Sequence, residues 1–80
     1  MISLGKETKL CPGKVIEKAI AFFGPQGVGL EAEESGEGCA RFVGGGGFVN
    51  VSTCQGEKRT QVSVEAREWE LQAKQFTAKL

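Results

Sequence analysis

Residues 40–51 read ARFVGGGGFVNV, two short apolar–polar alternations joined by four glycines, Gly44 to Gly47. A glycine loop that cradles phosphate follows a strand and opens a helix, whose first amides supply donors and dipole. Here the glycines lead instead into FVNVST, whose β-branched and aromatic residues keep a period of two. The stretch therefore reads as a hairpin, with glycine supplying the positive φ values of its turn. That reading separates a small antiparallel scaffold from a nucleotide enzyme.

The same period extends in both directions. Upstream, Val28, Leu30 and Ala32 alternate with Gly29, Glu31 and Glu33; downstream, Val62, Val64 and Ala66 alternate with Gln61, Ser63 and Glu65. Ser35-Gly36-Glu37 and Gln55 to Lys58 punctuate these runs as turns. A first hairpin turning over Ser35 to Glu37 sets Leu30 opposite Phe42 and Ala32 opposite Ala40. A second over the glycines sets Phe42 opposite Val49 and Ala40 opposite Val51. A third over Gln55 to Lys58 sets Val51 opposite Val62 and Val49 opposite Val64. All three put the apolar residues on one face, and a one-residue slip in any of them would turn a strand's apolar set over. The spacing predicts a four-stranded antiparallel meander.

Both flanks change period. PGKVIEKAIAFF (12–23) carries Val15, Ile16, Ala19, Ile20 and Phe23 at the spacing of one helical face, with Pro12 in the first turn and Gly24-Pro25 as a stop. EWELQAKQFTAKL (68–80) places Trp69, Ala73, Phe76 and Leu80 on one face, with Glu70 and Lys74 four apart on the other. A one-sided sheet and two amphipathic helices satisfy each other when both helices cover the apolar face. Ile2 to Lys9 could add an N-terminal edge strand to this plan as an optional element. The predicted fold is a single α+β domain over residues 1–80: helix, four-stranded meander, C-terminal helix, both helices on one sheet face.

This order of elements resembles the TATA-binding-protein-like architecture. The ending SVEAREWELQAKQF (63–76), a strand running straight into a Trp-bearing helix, also resembles the tail of small helix-grip domains of the plant-allergen and lipid-transfer type. The likeness covers nearly the whole chain but lies in element order, without a sequence motif, and a full helix-grip domain is much longer. It implies a final helix closing over the sheet and a small apolar pocket beneath Trp69, lined by Phe23, Ala40, Trp69 and Phe76. The packing alternative is that small sheet residues simply accommodate large helix side chains.

Composition narrows the chemistry. Ten Lys plus Arg balance ten Asp plus Glu, so no net charge draws the chain to nucleic acid or to an anionic membrane. Apolar runs stop well short of the roughly 18–20 residues of a membrane span, and MISLGKETKL lacks the apolar stretch of a secretory signal. Three cysteines, Cys11, Cys39 and Cys54, form no C-x-x-C pair; an odd count in a short chain fits a reducing, cytoplasmic setting. Histidine and tyrosine are absent, which removes the commonest general base, the commonest zinc ligand and every His-dependent triad.

No catalytic residue, metal site or cofactor is expected. CPGKV (11–15) lacks the upstream glycine and the hydroxyl residue of a Walker loop. Cys11, ahead of a helix, has the placement of an activated thiol, but no histidine exists to activate it. Cys39 and Cys54 fall on the outer sheet face as diagonal neighbours, roughly 7–8 Å apart and too far for an unstrained bridge. The same face carries the predicted rungs Glu31–Arg41–Asn50–Ser63 and Gly29–Val43–Phe48–Glu65. Val43 opposite Phe48 on the wet side, beside Arg41 and Asn50, marks a candidate interface, most simply that of a homodimer. Glu31, Glu33 and Glu65 oppose a nucleic-acid reading of the face. The first functional expectation is a non-enzymatic, self-associating interaction module. The alternative is a binder of small apolar ligands between the C-terminal helix and the sheet.

Overall fold

The computed structural model describes residues 2–25, 27–36 and 38–80. Seven elements follow one another: β1 (Ile2–Thr8), α1 (Pro12–Phe23), β2 (Glu31–Ser35), β3 (Cys39–Gly44), β4 (Gly47–Gln55), β5 (Thr60–Arg67) and α2 (Glu70–Ala78). The strands form one antiparallel sheet in the order β1-β5-β4-β3-β2. The meander is present, and the N-terminal strand closes the sheet on the β5 side, with Leu4 opposite Val64 and Thr8 opposite Thr60.

The central hairpin forms as its glycines dictate. Gly44 pairs with Gly47, leaving Gly45 (φ 58°) and Gly46 (φ 81°) as a two-residue turn with both central φ values positive, as a type I′ hairpin requires. Gly47 answers a second demand: a Cβ there would run into the carbonyl oxygen of Arg67 at the end of β5. Phe42 stands opposite Val49 and Ala40 opposite Val51, the register read from the sequence.

Two other registers depart from expectation. In β4–β5, Val51 faces Val64, Val49 faces Ala66 and Thr53 faces Val62. The connecting loop is Gly56 to Arg59, closed by the Gly56 amide donating to the Arg59 carbonyl at 2.8 Å. Moving a four-residue loop by one position shifts the pairing by two and leaves every side chain on its original face. In β2–β3, Ala32 faces Phe42 rather than Ala40, and the ladder is irregular between Ala32 and Glu34. Ala32 is exposed instead of lying beneath the helices. Leu30, just before the strand, is buried, and its amide donates to the Phe23 carbonyl at 2.8 Å. The predicted turn at Ser35 to Glu37 includes Glu37, outside the described residues; beside it the Gly36 amide donates to the Cys39 carbonyl at 2.8 Å.

Both helices lie on one face. Val15, Ile16, Ala19 and Phe23 of α1 and Ala73 and Phe76 of α2 are buried with Phe42, Val49, Val51, Val62, Val64 and Ala66. Ring contacts bind the layers: Phe23 lies 5.5 Å from Phe42 and 5.1 Å from Phe76 between centroids. Such pairs add roughly 0.5–1.5 kcal/mol beyond their burial. Ile20, expected on the core stripe, is 40% exposed. α1 leaves the Thr8 end of the sheet and α2 returns to it, where the Thr8 hydroxyl donates to the Leu80 carbonyl at 3.5 Å. Among the described residues no helix is long and apolar enough to cross a membrane.

Candidate functional site

Because α1 and α2 share one face, no layer covers the other face of the sheet among the described residues. Strand alternation decides what it shows. The observed rungs are Glu31–Val43–Phe48–Arg67, then Arg41–Asn50–Glu65, then Cys39–Ser52–Ser63. They replace the expected Gly29–Val43–Phe48–Glu65 and Glu31–Arg41–Asn50–Ser63, whose outer members move with the two shifted registers. The inner pairs, Val43–Phe48 and Arg41–Asn50, are as read.

All four candidate interface residues therefore stand together on two adjacent rungs. Val43, Phe48 and Asn50 are half-buried and Arg41 is exposed. The Arg41 guanidinium carbon lies 5.2 Å from the centroid of the Phe48 ring, and its Nε lies 3.7 Å from Glu33 Oε1. A cation over an aromatic face contributes about 0.5–1 kcal/mol at an exposed site, and the half-exposed ion pair adds less. The result is a small apolar spot capped by a planar cation, next to the Asn50 amide.

The residues of the expected apolar pocket are placed differently. Phe23, Ala40 and Phe76 are buried in the core, and the Phe23 ring contacts those of Phe42 and Phe76. Trp69 sits ahead of α2, with φ −110° and ψ 36°. Its indole N–H donates to the Gly44 carbonyl at 2.9 Å, and its ring lies over the glycine turn, so that a Cβ on Gly45 would stand 2.9 Å from Cζ2. Trp69 therefore fastens the hairpin to the last helix.

The thiols of Cys11, Cys39 and Cys54 are free and exposed. Cys39 faces Ser52 and Cys54 faces Gln61, on different rungs. Among the described residues no cluster of three or more His, Cys, Asp or Glu has the arrangement of a metal site.

One feature escaped the sequence. On the outer side of the helix layer, Lys18, Ala21 and Phe22 of α1 and Phe76, Lys79 and Leu80 at the end of the chain line a groove of about 270 Å³. The Lys79 ammonium stands 4.9 Å from the Phe22 ring centroid. The signal for it is the pair Phe22-Phe23: adjacent residues of a helix lie about 100° apart, so both rings cannot enter one core stripe. No protein-family model, curated protein or solved structure matches this chain, and the functional reading rests on the geometry alone.

Proposed function

We propose that this protein is a non-enzymatic interaction module that self-associates by packing its open sheet face against that of a second copy. The observation that carries this reading is the directly opposed Val43–Phe48 pair on a face without a covering layer, with Arg41 laid over the Phe48 ring. Full burial of one large apolar side chain is favourable by roughly 1.5–3 kcal/mol, a gain that the half-buried Val43 and Phe48 realise only in part in the isolated chain.

The middle rung of the face is self-complementary in charge. A twofold axis running along β4 sets Phe48 against Phe48, Asn50 against Asn50, and Arg41 against Glu65 of the second copy. Zero formal net charge adds no long-range repulsion. Five strands about 4.8 Å apart and about six residues deep give a face of about 480 Å², and two copies together cover about 1,000 Å². That is the lower limit for a specific pair, so the dimer is expected to be weak, in the micromolar range. Glu31 and Glu65 on the face disfavour nucleic acid as its partner, and three free, exposed thiols support a reducing, cytoplasmic setting.

The alternative occupant, an apolar ligand between α2 and the sheet, would have to part the packed rings of Phe23, Phe42 and Phe76 and is set second. Sedimentation velocity from about 5 to about 500 µM tests the main reading. The wild type is expected to shift from monomer to dimer across that range, and Phe48→Asp to remain monomeric with an unchanged circular dichroism spectrum. A wild type that stays monomeric throughout overturns the proposal.

A further inference from the structure

We propose that the seam between α1 and α2 binds an anionic single-chain amphiphile, specifically a free medium-chain carboxylate, with its tail in the groove and its head among the lysines at the groove's mouth. The floor of the seam is apolar: Ala21, Phe22, Phe76 and Leu80. Its 270 Å³ equals about nine volumes of the size one water molecule occupies in the liquid, room for a tail of about eight to ten carbons.

Lys18, Lys79 and Leu80 also line an adjoining hollow of about 490 Å³, to which Lys6, Lys9 and Arg59 belong. Seat for tail and seat for head thus share three residues. Five of the ten cations in the chain surround this hollow, and among the described residues none of the five takes part in an ion pair. Against them stands one lining acid, the Glu7 carboxylate, which accepts from Gln61 Nε2 at 3.1 Å. Five positive side chains and one negative leave an excess of four in a molecule of zero net charge. Such one-sided charge attracts an anion, and the apolar floor beside it selects an anion with a tail. Lys79 lies across the boundary with its ammonium over the Phe22 ring, so it can cover the first methylenes with its stem while facing the carboxylate with its head.

The groove lies on the opposite side of the molecule from Phe48, so this site stands or falls independently of self-association. The test titrates decanoate into the ¹⁵N-labelled full chain. Saturable shifts are expected at the amides of Lys18, Phe22, Phe76 and Lys79, with Phe48→Asp leaving them unchanged. Decan-1-ol, with the same tail and no charge, is expected to bind at least tenfold more weakly. Lys18→Glu with Lys79→Glu is expected to weaken decanoate at least tenfold, and Ala21→Trp to abolish binding by filling the groove; all three positions are exposed. Equal binding of decan-1-ol overturns the charge argument. Inorganic phosphate reproducing the shifts reduces the site to an ion contact and overturns the proposal, as does response to phosphatidylglycerol vesicles without response to free decanoate. Absence of saturable shifts in the wild type overturns it without reference to any variant.

Discussion

Adjacent glycines of the central hairpin should respond to alanine very differently. Gly46 has φ 81°, and nothing lies within 4 Å of a Cβ built on it. Alanine there bears only the left-handed backbone penalty, roughly 1–2 kcal/mol, offset by roughly 0.4–1 kcal/mol from a stiffer unfolded chain. A net loss of about 1 kcal/mol follows. At Gly47 the new methyl would meet the Arg67 carbonyl oxygen and the Glu68 side chain. The carbonyl belongs to backbone and cannot swing aside, so the end of β5 must be pushed away from β4. Overpacking costs roughly 1–3 kcal/mol, and the lost ladder bond at Phe48–Arg67 about 1 kcal/mol more. Gly47→Ala should therefore cost about 2–4 kcal/mol. At about 4–8 °C per kcal/mol for a domain of this size, Tm falls by about 4–8 °C for Gly46→Ala and by about 8 °C or more for Gly47→Ala. Urea unfolding followed by Trp69 fluorescence reads the change directly, because the indole rests on this hairpin. If Gly47→Ala loses no more than Gly46→Ala, the close approach of β5 to the turn is wrong.

Other expectations follow from the same contacts. Phe76→Ala should destabilise by about 3–5 kcal/mol in chemical denaturation, since its ring packs on Phe22 and Phe23 and is 2% exposed, whereas Ile20→Ser on the exposed flank of α1 should stay within about 0.5 kcal/mol. Trp69→Phe removes the hydrogen bond to the Gly44 carbonyl and should cost about 1 kcal/mol, with the loss of amide protection concentrated at the hairpin in hydrogen exchange. Glu65→Lys should weaken self-association in sedimentation, and the added Arg41→Glu should restore it by exchanging the two charges across the twofold axis; failure of the pair to restore it would exclude that axis. All three thiols should react with Ellman's reagent without denaturant.

The β3–β4 register was legible because two constraints coincide there: a glycine tetrad that permits one tight turn, and apolar residues of matching parity on either side. Parity alone was insufficient for β4–β5. Pairing Val51 with Val62 or with Val64 buries the same residues on the same face, and only the position of the four-residue loop distinguishes them. In β2 the irregularity between Ala32 and Glu34 breaks the period that the reading relied on. The outer-face spot at Arg41, Val43, Phe48 and Asn50 followed from the well-determined hairpin. Trp69 did not, because its hydrogen-bond partner lies 25 residues away and helical spacing carries no trace of it. The inter-helix groove was hidden for a similar reason: it arises from the meeting of α1 with the chain's last residues, a long-range event.

The irregular pairing of β2 bears on how far any assembly of these molecules can extend. Strand-by-strand growth into a filament needs two good margins on every unit, one to receive and one to donate. The margin formed by β1 is seven residues long and regularly paired, but the opposite margin is five residues long, interrupted, and bears Glu31 and Glu33. A unit with one usable margin terminates any chain it joins, so accretion through the backbone halts at a closed pair.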